Sequence, residues 1–240
     1  MIKFFRKIRQ NLLSEGRTTK YLKYAIGEII LVVIGILIAL QINNWNEDRK
    51  KEKLEVSTLT ELKANLSADI KDFQRDMKVY DAASKSSDII IDFIDGKIPY
   101  HDSLNILFGK IPVQGVFAPN KAAYDNLKVT GIRLVSNDSL RAAISNLYEG
   151  TYHYAENYMR SEYEFDHKKF GDFYLQEMLE YSFYQYAKPI DWRRLVRNQE
   201  FRNLIMHRKL KFQGWHKMQY EGYIRKANRV IEMINREIEK

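Results

Sequence analysis

The sequence predicts an all-α protein in which a single transmembrane helix precedes an extracytoplasmic helical bundle. An apolar run over residues 25–42 predicts the first part, and amphipathic stretches near 56–80 and 212–238 predict that the first and last helices of the bundle are long. Composition supports the same class. The 240 residues include no Cys, 4 Pro and 11 Gly, which excludes disulfide frameworks, thiolate metal sites and turn-dense β-sandwiches.

Residues 1–24 form a basic arm that is predicted to lie in the cytoplasm. The arm carries seven Lys or Arg and one acidic residue, so it accounts for +6 of the chain's net charge of +8. Apolar side chains recur between the basic ones at helical spacing, which predicts an interfacial amphipathic helix on anionic lipid. A disordered basic anchor is the alternative. The candidate membrane-surface residues are Lys3, Arg6, Lys7 and Arg9.

Residues 25–45 are predicted to be the transmembrane helix. Residues 25–42 carry one charge, and every residue from Ile29 to Leu40 is apolar. A bilayer core of about 30 Å needs roughly 20 helical residues, and aromatic residues flank this run as they do at membrane interfaces. A buried core helix would show a polar stripe, and a cleaved signal peptide would end in small residues; this run has neither. We therefore expect an uncleaved signal anchor.

The charges beside the apolar run predict its orientation. The arm is strongly basic, whereas residues 43–60 carry four basic and four acidic side chains. The positive-inside rule then predicts a cytoplasmic N-terminus and residues 46–240 on the other side. A bacterial inner membrane with a helical periplasmic domain fits this topology, and a periplasmic domain would not meet nucleic acid.

Four residues near the apolar run are candidates for an intramembrane or helix-packing role. Glu28 places a carboxylate close to the membrane, where such groups are costly and often functional, although an interfacial position would make it ordinary. Gly27 and Gly35 lie two turns apart, and Gly35 with Ala39 makes a small-xxx-small step that lets two spans approach closely.

Two parts of the chain resemble a known family. The first consists of MIKFFRKIRQNLLSEG at 1–16, KYLKYAIGEII at 20–30 and IALQINNWN at 38–46. The second is FAPNKAAYDNLKVTG at 117–131, followed by NDSLR at 137–141. Both are similar to a family of uncharacterised single-pass membrane proteins of Bacteroidota, a domain of unknown function. The resemblance implies a membrane anchor and an extracytoplasmic helical domain, and it implies no activity and no catalytic residue.

The predicted domain over 46–240 begins and ends with striped helices. Apolar residues recur at steps of three and four in both, which favours an antiparallel pair within the bundle over an intermolecular coiled coil. The first stripe is Val56, Leu59, Leu62, Leu66, Ile70, Phe73, Met77 and Tyr80, and the last is Phe212, Trp215, Met218, Tyr223, Ala227, Val230, Ile234 and Ile238. We expect the first of these helices to continue from the membrane span or to follow it closely.

Shorter helices are predicted between the two stripes. Gly96, Gly109 and Gly131 are the expected stops, and Ser136 or Asn137 is an expected N-cap. The predicted segments are 82–94, 103–108, 120–129, a helix from 137 through 147, and 198–209. A small β element is a weaker prediction near 111–116 or 132–135.

Three clusters of chemistry-bearing residues have ordinary interpretations as well as functional ones. Thirteen of 31 aromatic residues fall between Tyr148 and Tyr186, and a core stripe is favoured over a ligand pocket there. The acidic residues at 69–76 and 88–95 are expected on solvated helix faces, since neither group has the pattern of a calcium loop. Residues 188–240 carry a net charge of +8 and residues 43–187 carry −5; we expect the basic end to pair with the acidic middle.

No catalytic, cofactor or metal motif is evident, so the leading hypothesis is non-enzymatic. It is a single-pass inner-membrane protein whose periplasmic helical domain binds a protein partner or a second copy, or assembles an envelope complex, while its arm contacts a bilayer with anionic head groups. One alternative is a periplasmic ligand sensor that uses the aromatic stretch 148–186. The other is an ion-coupled membrane component that uses Glu28.

Overall fold

The computed structural model describes residues 18–115, 117–182 and 185–240. The described part of the chain divides into two units, with the boundary between Leu54 and Glu55. Helix α1 (Thr18–Ile94) runs through the boundary. This confirms the prediction that the helix beginning near Val56 continues from the apolar run. It also shows that residues 82–94 are the end of α1 rather than a separate helix.

The unit Glu55–Lys240 is mostly helical, as expected. Its elements after α1 are α2 (Leu104–Lys110), α3 (Ala122–Thr130), a 3₁₀ turn (Ile132–Leu134), α4 (Asp138–Ser145), a first π-helical turn (Asn146–Tyr152), α5 (His153–Glu177), β1 (Met178–Ser182), β2 (Tyr186–Pro189), α6 (Trp192–Leu195), α7 (Gln199–Leu210), a second π-helical turn (Lys211–His216) and α8 (Lys217–Ile238).

Local sequence signals place most of the helix ends. Gly96 has a positive φ of 73°, and the amide of Lys97 donates to the carbonyl of Asp92 at 2.9 Å, which is the Schellman end that only Gly adopts at low cost. Gly131 stops α3 with φ 110°. The side chain of Asn137 accepts a hydrogen bond from Leu140 N at 3.1 Å and caps α4. These predicted signals are confirmed.

The mostly helical unit is consistent with the all-α prediction, and one short antiparallel hairpin is added to the helices. Strands β1 and β2 pair with Met178 opposite Pro189 and Ser182 opposite Tyr186. The β element is therefore absent from the two positions that the sequence favoured, since Ile132–Leu134 is a 3₁₀ turn and 111–115 is irregular. Both strands are short, and β2 ends at Pro189, so neither has the long alternation that identifies a strand.

The first core joins the striped face of α1 to α8. Phe73 lies 5.7 Å from the ring of Tyr220, and Tyr80 lies 4.7 Å from that of Phe212. The later residue of α1, Tyr80, contacts the earlier residue of the C-terminal segment, Phe212. The two helices are therefore antiparallel, as predicted. The larger members of this core are Leu59, Leu62, Leu66, Phe73, Tyr80, Phe117, Tyr124, Leu127, Leu140, Ile144, Leu147, Tyr148, Tyr152, Met159, Phe212, Tyr220, Tyr223, Val230 and Ile234.

The second core surrounds the last turns of α1. It packs α2, the end of α5, the hairpin, α6 and α7 against one another. Its members are Ile90, Ile91, Phe93, Leu104, Phe108, Ile111, Phe170, Tyr174, Met178, Ala187, Leu195, Phe201 and Ile205. Gly109 does not close α2 as predicted but lies within it. A Cβ on this glycine would stand 2.2 Å from the backbone nitrogen of Tyr186, so the glycine lets the hairpin pack directly on α2.

The two π-helical turns change the register of the predicted stripes. A π turn holds an extra residue, so residues within it and just after it face a different direction from that expected of an α-helix. Trp215 and Met218, expected in the core, are 39 % and 53 % exposed, and His216 and Tyr220 are buried in their place. After the first π turn, Phe165 is 52 % exposed while Asp166 is buried. These positions of the predicted stripes are wrong.

Candidate functional site

The apolar stretch of α1, residues 29–42, has no packing partner among the described residues. Every large apolar side chain between Ile29 and Ile42 is at least 46 % exposed. A Cβ added at Gly27 or Gly35 would meet no atom within 4 Å. Within the described part of the chain, this is the one helix long and apolar enough to span a membrane, so it is a possible span or signal anchor.

The sequence-predicted site residues fall in two places. Gly27, Gly35 and Ala39 lie exposed on α1, and Glu28, immediately before Ile29, is half-buried. The four basic residues predicted to bind the membrane surface, Lys3, Arg6, Lys7 and Arg9, lie outside the described residues.

Two acidic residues predicted to be solvated are buried in the first core. Asp69 is 3 % exposed and its Oδ1 accepts a hydrogen bond from Asn120 N at 2.8 Å. Asp76 accepts one from the Tyr220 hydroxyl at 3.2 Å. Burial raises the pKa of Asp69 to about 6 and also raises that of Asp76. Asp69 and Asp76 lie seven and fourteen residues after Leu62, so they are on the same face of α1 as this buried leucine.

Tyrosine hydroxyls line the space around these carboxyl groups. Tyr148 and Tyr152 are buried, which confirms the core interpretation for this part of the aromatic stretch. The ring of Tyr152 stands edge-on to that of Phe73 at 6.0 Å. Tyr80 accepts a hydrogen bond from Gly115 N at 3.0 Å. The backbone amides of Gly115 and Asn120 thus donate to side chains of α1, which holds the segment before α3 against that helix.

A buried ion-pair cluster joins α5 to α7 and the second π-helical turn. Arg208 is fully buried and pairs with Asp166, which is 2 % exposed. The Arg208 guanidinium also donates to Val113 O at 2.8 Å and lies 4.3 Å from the ring centre of Phe212. These contacts compensate the cost of removing a cation from water, which would be several kcal/mol if the group were unpaired.

Lys211 extends this cluster toward the surface. Its ammonium lies 3.1 Å from Asp166 Oδ2 and also pairs with Glu162. Burial lowers the pKa of Lys211 to about 8, while the two carboxylates favour its charged form, so we expect a cation at neutral pH. His216 stacks on Tyr80 nearby, and burial together with Lys211 and Arg208 lowers its pKa to about 3.

The predicted pairing of the basic end with the acidic middle is confirmed. Arg202 contacts Asp95 at 3.2 Å and Arg194 contacts Glu177 at 2.6 Å. Lys209 pairs with Asp88. With the cluster at Arg208 and Lys211, these contacts pair much of the positive charge of α6 and α7 within the chain.

A small cleft with a volume of about 30 Å³ opens where α5, the hairpin and the segment after α2 meet. Its lining includes five aromatic side chains and the buried Asp166. The lining residues are Gly109, Pro112, Gln114, Tyr163, Asp166, His167, Phe170, Gly171, Tyr174, Tyr181, Ser182 and Tyr186. Among the residues that the structure describes, no three His, Asp or Glu side chains converge as a metal site.

Comparison with known proteins identifies a family and no activity. A family model described as "Family of unknown function (DUF6090)" matches residues 28–206. No curated protein and no solved structure matches the chain.

Proposed function

The chain belongs to DUF6090, a family of unknown function, and we propose that it is a single-pass inner-membrane protein that presents a periplasmic helical domain to a protein partner. In this proposal residues 1–24 are cytoplasmic, α1 crosses the bilayer over 25–45, and residues 46–240 lie in the periplasm. The domain binds another envelope protein or a second copy of the chain, and it has no enzymatic role.

The unpartnered apolar stretch of α1, residues 29–42, carries the proposal. Eighteen residues of helix from 25 to 42 span about 27 Å at 1.5 Å per residue, close to the thickness of a bilayer core. All the large apolar side chains between Ile29 and Ile42 are exposed. A contiguous apolar surface of this kind is unfavourable in water and favourable in lipid.

Charge supports the proposed orientation. The +6 of residues 1–24 far exceeds the balanced charge of residues 43–60, and the side of a span with more Lys and Arg normally stays in the cytoplasm. The same arm supports contact with anionic head groups, each basic residue near the surface contributing about 1 kcal/mol.

An exposed aromatic patch supports a role in protein binding. It lies along α5 and the second π-helical turn, where Tyr158 is 6.1 Å from the ring of Tyr154 and 5.9 Å from that of Trp215. Tyr154, Phe165 and Trp215 are all substantially exposed. We define Tyr154, Tyr158, Phe165 and Trp215 as the outer aromatic patch. Aromatic side chains are enriched in protein interfaces and dominate their binding energy.

Membrane extraction and reporter fusions test the anchor. We expect the full-length protein to stay with membranes washed in alkaline carbonate. Alkaline phosphatase, which is active only outside the cytoplasm, is expected to be active when fused after Lys240. Release by carbonate, or an inactive phosphatase fusion that is stably expressed, would overturn the proposed topology.

Site-specific photocrosslinking in native membranes tests the interaction. A photoreactive residue at Trp215 is expected to give a discrete crosslinked species, whereas the same residue at Asp138, whose side chain is 86 % exposed on α4, is expected to give none. Equal crosslinking at both positions, or none at Trp215, would remove the support for the outer aromatic patch as an interface.

A further inference from the structure

An open groove of about 550 Å³ lies between α5 and the end of α7. Its lining residues are Tyr158, Glu162, Phe165, His207, Leu210 and Lys211. The groove therefore includes two residues of the outer aromatic patch, and it adds the side chain of Leu210, which is 61 % exposed. Its volume lies within the range of sites that bind organic molecules, so it has room for a large apolar side chain.

The carboxylate and the ammonium group of this groove pair with each other. Glu162 forms an ion pair with Lys211, whose ammonium also lies 3.1 Å from Asp166 Oδ2. An ion pair that stays intact is less costly to bury than a lone charge. The groove therefore has no unpaired carboxylate or ammonium that would recruit an ion, and its apolar side chains are the groups that a partner would contact.

A ridge of two apolar side chains lies beside the groove. Trp215 and Met218 follow Lys211 on the second π-helical turn and α8, and they are 39 % and 53 % exposed. We define Trp215 and Met218 as the ridge. The Trp215 ring lies 5.9 Å from the ring of Tyr158, which lines the groove. The ridge and the groove therefore share a border.

A surface that contains a ridge and a groove side by side is complementary to a second copy of itself. A rotation of 180° about an axis through the border exchanges the two features, so the ridge of each copy enters the groove of the other. Two-fold interfaces of this isologous kind are the commonest among soluble homo-oligomers. A different protein would have to supply a ridge of its own, whereas this chain already carries both parts.

The apolar area of this face is close to what a stable dimer needs. A standard interface buries about 800 Å² per partner, of which a little over half, about 450 Å², is apolar. An aromatic side chain has about 150–250 Å² of surface, so the exposed parts of Tyr154, Phe165 and Trp215 amount to about 300 Å². Leu210 and Met218 are both more than half exposed and bring the apolar area close to the required value.

We propose that this face is a homodimer interface, in which Trp215 and Met218 of each copy enter the groove at Phe165 and Leu210 of the other. The inference rests on the proposed function, because it names a second copy of the chain as the partner of the outer aromatic patch.

The mass of the photocrosslinked product at Trp215 tests the identity of the partner in native membranes. An aromatic photoreactive residue keeps the bulk of the ridge, and a second copy is expected to give a species of about 57 kDa, twice the 28.5 kDa of the chain. Mass spectrometry of that species should find peptides of this chain alone. A product that contains another protein would overturn the dimer and leave the proposed function standing, whereas no product would overturn both.

A matched pair of variants tests the groove. Leu210→Glu is expected to lower the yield of the dimer product at least tenfold, because the interface would then bury two unpaired carboxylates. Leu175→Glu is the control, since Leu175 is 68 % exposed on α5 and does not line the groove, and it is expected to leave the yield unchanged. Both side chains are exposed, so neither change should lower the Tm. Equal yields from the two variants would overturn the proposal.

Single cysteines test which residues meet, since the chain has no Cys of its own. Two differently tagged full-length copies are expressed together, one with Met218→Cys and the other with Phe165→Cys. A short bismaleimide is expected to join them, because the ridge of one copy enters the groove of the other. The control pair replaces Met218→Cys by Leu175→Cys and is expected to give no product. Equal crosslinking of both pairs, or none of the first, would overturn this arrangement of the dimer.

Discussion

Two stretches of α1 use apolar residues in opposite ways. Over residues 29–42 apolar side chains point in every direction, and Leu31 is 67 % exposed. Over residues 59–90 they occupy one face, and Leu66 is fully buried. The second stretch therefore buries its stripe against its own chain, whereas the first has more apolar surface than a helical partner could cover. One continuous helix thus has a stretch that packs in a protein core and a stretch whose apolar surface favours a lipid environment.

Charges placed in the apolar stretch should produce the largest effect. Each Arg in the middle of a span costs about 3 kcal/mol in membrane insertion, so Val33→Arg with Leu37→Arg should cost about 6 kcal/mol. We expect this double variant to be released from carbonate-washed membranes, as measured by immunoblotting of the pellet. The control is Asn43→Arg with Asn46→Arg, which lies beyond the apolar run and should be retained. Equal retention of both variants would mean that residues 29–42 do not enter the bilayer.

Deletion of a stripe side chain should affect the folded domain and not the anchor. Leu66→Ala leaves a cavity in the first core and should lower the free energy of unfolding by about 3 kcal/mol. Leu31→Ala removes an exposed side chain and should leave the free energy of unfolding unaltered. Denaturant unfolding of the full-length protein in nanodiscs, followed by tryptophan fluorescence, measures both. A similar loss at Leu31 would contradict the contrast between the two stretches.

The periodicity of α1 predicts its packing well because one continuous α-helix keeps a constant register. Leu59, Leu62 and Leu66 lie in the core as expected, and the end at Gly96 depends on local chemistry that the sequence displays. Asp69 and Asp76 were misplaced for a different reason. They lie on the stripe, and polarity alone suggested solvent, whereas the backbone amide of Asn120 and the Tyr220 hydroxyl satisfy them inside.

The later part of the chain was harder to predict because its register is not constant. The second π-helical turn contains Trp215 and His216, and its extra residue places Trp215 at the surface and His216 in the core, whereas Tyr223, Ala227, Val230 and Ile234 are buried as predicted. The cleft was missed because its lining comes from three elements, and pairing of β1 with β2 depends on packing against α2. The charge imbalance did predict the ion pairs of the basic end, although not that Arg208 and Asp166 would be buried.

The buried carboxyl of Asp69 should make the stripe sensitive to pH. Its pKa is about 6 in the folded protein and about 3.9 in an unfolded chain. Because the folded state binds the proton more tightly, the contribution of Asp69 to stability is greatest below pH 4 and falls as pH rises through 6. Asp69→Asn should therefore stabilise the domain at pH 8 by up to about 3 kcal/mol, and by much less at pH 4.

Thermal unfolding at both pH values measures this effect. Asp72→Asn is the control, because Asp72 is on the exposed face of the same helix and should change little at either pH. A gain for Asp69→Asn that is equal at pH 4 and pH 8 would show that loss of the buried charge is not its cause.

Glycine-to-alanine substitutions should give the smallest difference in Tm between the two stretches. Gly96 ends α1 with φ 73°, where a Cβ is strained, so Gly96→Ala should cost about 1 kcal/mol and lower the Tm of the domain by about 3 °C. Gly35 lies within the helix, and a Cβ there meets no atom within 4 Å; Gly35→Ala should leave the Tm unchanged. Calorimetry of both variants in nanodiscs compares them directly. If Gly35→Ala lowered the Tm as much as Gly96→Ala, the apolar stretch would be packed against a partner that a methyl group disturbs, and its exposure could no longer be attributed to lipid contact alone.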